Sequence, residues 1–109
     1  MEEIQTEIQD STDASPEHKV GTVGTSAVTI QRTDGKDCVA VHVNNPVLGT
    51  RANDFDDVLY ITTDGQAPAT YGQTIHIGEG ITIRGKITHG NIKIASNNAN
   101  TNYEIVLEG

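Results

Sequence analysis

Residues 38–46 of this 109-residue chain have the sequence CVAVHVNNP, which sets the pattern for most of the chain. Val39, Val41 and Val43 alternate with Ala40 and His42. A period of two residues places successive side chains on opposite faces of an extended strand, here one apolar and one polar. The stretch therefore predicts a half-buried β-strand.

The same alternation recurs from Lys19 to the C-terminus and is carried almost entirely by Val and Ile, which favour sheets. Polar turn sequences separate the apolar stretches: TDGKD (33–37), TDGQ (63–66), GEG (78–80, a turn or a bulge) and THGN (88–91). We expect an all-β fold, an antiparallel β-sandwich or barrel of about seven to eight short strands with an extended N-terminal arm. The inward positions predicted outside the first stretch are Val28, Ile30, Leu59, Ile61, Ile75, Ile77, Ile81, Ile83, Ile87, Ile92, Ile94, Tyr103, Ile105 and Leu107.

The outward phases of these strands carry small or uncharged side chains that can pack closely against another surface. They include Thr29, Ala40, Thr62 and Thr82. With no Trp and one Phe in the chain, the predicted core is thin, so contacts between subunits would add stability. We expect a homo-oligomer.

Negative charge is concentrated at the N-terminus. Residues 1–18 carry no base and hold six of the fifteen acids: Glu2, Glu3, Glu7, Asp10, Asp13 and Glu17. We therefore divide the chain into an acidic arm, residues 1–18, and a β-sandwich domain, residues 19–109. The arm is interpreted either as a solvated tail or as a segment that orders on a partner. In the second case Ile4 and Ile8, which share one face of a short helix, are the partner-binding residues.

The composition argues against several classes of function. A net charge of −8 disfavours a nucleic-acid surface. No apolar run approaches the length of about 18 residues that a membrane helix needs, and the N-terminus lacks the features of a signal peptide. The single cysteine, Cys38, has no partner for an internal disulfide and is predicted to be a small buried residue.

The stretch NDFDDVLYITTDG (53–65) contains the densest group of acids in the domain. Asp54, Asp56 and Asp57 could supply oxygen ligands to calcium, but the loop lacks the Gly and Glu positions of an EF-hand. Asp and Asn also start turns for local reasons. We predict a structural turn, with a metal site at these three residues as the weaker alternative, and no cofactor.

Four histidines are present, none of them in a metal-binding motif. His42 and His76 both fall on the polar phase of their strands. On one outer face the two could meet and bind a metal between subunits. The commoner case for such residues is that they are solvated or line an interface. We predict partner binding by His42 and His76.

The order VGTSAVTIQ, CVAVHVNNP, DVLYITTDG, GQTIHIGEGITI and IKIASNNANTNYEIVLE resembles small β-rich virion structural proteins of tailed bacteriophages, over residues 20–108. The resemblance implies a non-enzymatic protein of the virion, of the capsid-decoration, head-auxiliary or fibre-base type. Its partner would be the major capsid protein or another virion protein, and a trimer is the favoured oligomer. The alternatives are a neck, tail or fibre adaptor, or a glycan-binding β-sandwich.

Overall fold

The computed structural model describes residues 16–109, and the chain there forms eight antiparallel strands and one helical turn. The elements are β1 (Glu17–Val23), β2 (Val28–Thr29), β3 (Cys38–Asn44), β4 (Leu59–Thr62), α1 (Pro68–Tyr71), β5 (Gln73–Ile75), β6 (Gly80–Ile87), β7 (Lys93–Ser96) and β8 (Thr101–Glu108). No helix in this part of the chain is long and apolar enough to cross a membrane.

The strands form two four-stranded sheets. Sheet A has the order β1-β8-β3-β6, and sheet B has the order β2-β7-β4-β5. This is the strand order of a jelly roll, a double-sheet architecture. The predicted all-β antiparallel sandwich is therefore confirmed. Strand β1 begins at Glu17, so the last two residues assigned to the arm, Glu17 and His18, belong to sheet A.

The core lies between the sheets and is aliphatic, as the alternation predicts. Val41, Val43, Leu59, Ile94 and Leu107 have no exposed surface. Their neighbours in the sequence face outward, which explains why one apolar stripe per strand is enough to close the sandwich.

Strand pairing is irregular at one place, and there the predicted pattern is wrong. Cys38 pairs with Ile87 and Ala40 pairs with Arg84. One residue between these pairs on β3, Val39, therefore lies opposite two residues on β6. The extra residue on β6 forms a β-bulge, where Gly85 adopts a φ of 131° that a side chain disfavours. Val39, which lies opposite this bulge, is 55% exposed, although the alternation placed it inside.

Three other predicted positions also differ. Val28 is 39% exposed because the two-residue strand β2 lies at the edge of sheet B. Ala40 is buried on its outer face, where Arg84 and Glu108 are its cross-strand partners. Thr62 is buried because its hydroxyl donates to the Gln66 carbonyl at 2.7 Å. Thr29 and Thr82 are exposed as predicted.

Candidate functional site

The acidic loop, Asn53–Asp57, is held in place by asparagine side chains. The Asn53 amide donates to Asn45 Oδ1 at 2.7 Å and to the Asn102 carbonyl at 2.8 Å, while Asn53 Oδ1 accepts from the Asn102 backbone N–H. Asn45 is itself buried and donates to the carbonyls of Asp57 and Ile75. The loop is thus fixed to both sheets by hydrogen bonds that need no metal.

The three carboxylates of this loop differ in their surroundings. Both oxygens of Asp57 accept hydrogen bonds, one from the Asp54 backbone N–H and one from the Asn98 amide, at 2.8 and 2.9 Å. Asp54 and Asp56 are exposed. Within residues 16–109, no three His, Cys, Asp or Glu side chains come close enough together to hold a metal ion. Asp57 therefore stabilises the turn through the two hydrogen bonds that its carboxylate accepts.

Two large apolar side chains protrude from the connection between β3 and β4. Phe55, the one phenylalanine of the chain, is 89% exposed between the acids, and Leu48 is 84% exposed. Large apolar side chains held in water by a well-bonded loop are typical of contact surfaces between proteins. Nothing in the sequence pattern around Phe55 indicates that its side chain is exposed.

His42 lies in the middle of sheet A and bonds two neighbouring strands. Its Nδ1 lies 2.9 Å from Thr82 Oγ1 on β6, and its Nε2 contacts a carboxylate oxygen of Glu108 on β8. This hydrogen bond is the main reason why the pKa of Glu108 is lowered. Since both ring nitrogens are engaged within the chain, His42 is poorly placed to bind a metal between subunits.

His76 lies just beyond β5 of sheet B, at the turn that leads to β6. Its backbone N–H donates to Glu79 Oε1 at 2.7 Å, and its side chain is exposed. His42 and His76 therefore do not share one outer face of the chain. The predicted pairing of the two is wrong within a single copy, and their role in partner binding stays a prediction. Ile4 and Ile8 lie outside the described residues.

In the part of the chain that the structure describes, strand β6 has one unpaired side, which the alternation in the sequence does not indicate. This strand pairs with β3 on one side and is the outermost strand of sheet A on the other, among the residues described. It carries the exposed bases Arg84 and Lys86. Beside it, a depression of about 140 Å³ opens between the sheets, lined by Ile61, Thr62, Thr63, Asp64, Tyr71, Gln73 and Ile83.

At the opposite edge of sheet A, a charged cluster fixes the start of β1. Both Glu17 carboxylate oxygens accept from Thr33, and Glu17 lies 3.9 Å from the guanidinium of Arg32. Arg32 also donates to Asp34 Oδ2 at 2.8 Å. These bonds fix the position of Glu17 at the start of sheet A.

Comparison with known proteins gives little. No protein-family model matches the chain, and no curated protein matches it. Among solved structures, the chain is similar to a protein of Bacillus endospore appendages, which are described as a novel family of disulfide-linked pili. The two share 14% sequence identity with a TM-score of 0.48, over 86% of this chain and 85% of that chain.

Proposed function

We propose that the protein is a non-enzymatic structural component of a phage virion, a capsid-decoration or head-auxiliary protein that docks through its N-terminal arm and through contacts between subunits. Its partner would be the major capsid protein or another virion protein. The observation that carries the proposal is the open β6 edge, because an unpaired strand edge is a ready-made surface for pairing with another chain. By analogy of fold alone, the jelly roll is an architecture found in viral capsids.

The non-enzymatic part of the proposal is supported by the roles of the ionisable groups. Glu17, Arg32 and Asp34 bond one another or the backbone, and His42 is engaged with Glu108. Each of these arrangements joins one strand or loop to another. These contacts give the ionisable side chains a structural role, which is to hold the strands and loops of the sandwich together.

An assembly role also explains the exposed apolar residues. Leu48 and Phe55 lie in one loop and Tyr71 lies in α1, so they are available to neighbouring subunits rather than arranged as one row of stacked aromatics for a glycan. Exposed apolar residues of this kind favour a homo-oligomer, in which contacts between subunits would bury them. The preference for a trimer rests on the resemblance to virion proteins.

The experiment is purification of the protein from its native source, followed by sedimentation and electron microscopy of whatever it is bound to. We expect it to co-purify with a large particle and to occupy a symmetric position on the head. A position at the neck, tail or fibre would select the adaptor alternative. Recovery only as a free protein, with no binding to purified particles, would refute the proposal.

A further inference from the structure

We propose that residues 2–10 of one copy pair, as an added β-strand, with the free edge of β6 in a second copy. This deepens the assembly role proposed above by naming what the arm binds. The following features support it: an open edge, matching charge, matching alternation and the reach of the arm.

The edge is suited to accept a strand. At eight residues, β6 is as long as β8 and longer than the other strands. Ile81 and Ile83 pack only partly against the core, since no further strand of residues 16–109 lies on this side. An added strand would continue the ladder of backbone hydrogen bonds and would also cover these two side chains.

The charges are complementary. Residues 1–15 contain no base, and their acids are Glu2, Glu3, Glu7, Asp10 and Asp13. Strand β6 contains Arg84 and Lys86 and no acid. Glu108 is near Arg84 across β3, but that carboxylate is hydrogen-bonded to His42.

The alternation in the arm matches the two sides of the edge. In an extended strand, Ile4 and Ile8 share one face, and Glu3 and Glu7 share the other. If the isoleucines face inward, one of them can enter the depression beside Ile83, between Ile61 and Tyr71. Glu3 and Glu7 then lie on the outer face, while Glu2 and Asp10, at the two ends of the segment, have the same phase as the isoleucines.

That outer face is where the nearest base lies. Ile83 packs against the core, so its neighbour Arg84 points to the opposite side of sheet A, level with its cross-strand partner Ala40. An incoming Glu3 or Glu7 would therefore meet Arg84 while the isoleucines are buried. The same register of the added strand therefore buries an isoleucine and places a glutamate beside Arg84.

The reach of the arm favours a second copy over the arm's own domain. A strand added to β6 lies four strand spacings from β1, or about 19 Å. Residues 10–16, fully extended, span about 20 Å. Pairing across the sheet places Glu17 of β1 level with Ile83 of β6, so the arm starts level with Arg84. From there, residues 2–10 of the same copy could lie along β6 only in the parallel direction. The antiparallel pairing of this sheet, which is the more stable kind, is open to the arm of another copy.

The test uses the full-length chain in sedimentation velocity over a range of concentrations. The arm variant is Ile4→Asp with Ile8→Asp, and the edge variant is Arg84→Glu with Lys86→Glu. The matched control is Gln5→Asp with Gln9→Asp, which adds two charges to the arm on its outward face. We expect the natural protein to self-associate, each test variant to weaken association by about tenfold or more, and the control to associate at least as well.

Mixing the arm variant with the edge variant separates pairing between copies from pairing within one. Each variant supplies the part that the other lacks, so the mixture should form a 1:1 complex that neither forms alone. Adding Glu3→Arg and Glu7→Arg to the edge variant should restore its self-association. Should the edge variant fail to fold, hydrogen exchange on the natural protein decides, since residues 80–87 must become protected as concentration rises.

A natural protein that stays monomeric, an arm variant that associates normally, or a mixture of folded variants that stays monomeric would overturn the inference. Because these measurements use the purified protein alone, they are distinct from the test of the proposed function. Binding to particles with no self-association would leave the virion role standing and remove the exchanged strand.

Discussion

Arg32 donates a hydrogen bond from Nη1 to the backbone carbonyl of Leu107 at 2.8 Å, joining residues 75 positions apart in the chain. The side chain is 3% exposed. Its other nitrogens bond Asp34, so one guanidinium fastens the loop before β3 to the last strand. Apolar patterning alone could not hold this end of the sandwich closed.

Arg32→Ala should lower the free energy of unfolding by about 2–4 kcal/mol, because it removes the side-chain donor of the Leu107 carbonyl and leaves the Asp34 carboxylate with only the Lys36 backbone N–H. Arg84→Ala, at an exposed arginine, should change it by no more than about 0.5 kcal/mol. Urea denaturation at pH 7 measures both. Equal losses in the two variants would show that the Arg32 bonds contribute little.

Acid should destabilise the domain through Asp34. The hydrogen bond from Arg32, assisted by the Lys36 backbone N–H, holds the pKa of Asp34 at about 2, below its ordinary value of 3.8. Because the folded-state pKa is the lower one, the stabilisation is complete above pH 3.8 and is lost as the pH falls towards 2. The pKa values of Glu17 and Glu108 are also lowered, which extends the same trend.

The Asp34→Asn variant provides the check on this trend. Its unfolding free energy should fall less steeply than that of the natural protein between about pH 4 and pH 2. Denaturation curves collected across that range would measure the difference. Parallel pH profiles for the two proteins would contradict the role given to Asp34.

Calcium should leave the stability unchanged, because Asp57 already bonds Asp54 and Asn98. A site filled at a hundred times its dissociation constant would add about 2.7 kcal/mol, which thermal denaturation detects easily. Asp57→Ala should cost about 1–2 kcal/mol and the exposed Asp56→Ala almost nothing. A calcium-dependent rise in melting temperature that Asp56→Ala abolishes would restore the metal interpretation.

Cys38 should be unreactive in the folded protein. It is buried at the start of β3, and burial raises the pKa of its thiol, which lowers the fraction of reactive thiolate. A thiol reagent should modify it in denaturant and only slowly without denaturant. Rapid labelling of the native protein would show that this corner of the sandwich opens.

Two truncations should separate the arm from the sheet. Removal of residues 1–15 should barely alter the melting temperature but should abolish incorporation into particles. Removal of residues 1–17 should also lower the melting temperature, because Glu17 bonds Thr33. Thermal denaturation and particle-binding assays give the two readouts. Unchanged particle binding without residues 1–15 would rule out a docking role for the arm.

The fold was predictable because its signal is local. Alternating Ile and Val report which face of a strand is buried, and short Gly-containing turns report where one strand ends and the next begins. The turns do not report which strands pair, since those at 33–37, 78–80 and 88–91 join strands of opposite sheets. The bulge opposite Val39 was not predictable in this way, since it lies in β6, a strand far away in the sequence. The four-residue α1 was also missed, because one turn that begins at Pro68 has no apolar periodicity.

The candidate site was less predictable for the same reason. The contacts of His42 are with residues 40 and 66 positions away, so no sequence motif contains them. That β6 lies at an edge follows from the strand order, which the alternation does not specify. The acids before residue 18, the bases on β6 and the alternation of residues 3–8 are the sequence signals for the strand pairing proposed above.

The pairing of β1 with β8 has a consequence for the order of events during synthesis. Glu17 pairs with Leu107, so β1 has no partner until β8, some 90 residues later in synthesis, has emerged. Contacts between such distant residues form slowly and leave apolar strands exposed while they wait. We therefore expect β1 to stay unpaired during much of synthesis, an interval in which it is open to misassembly with other copies.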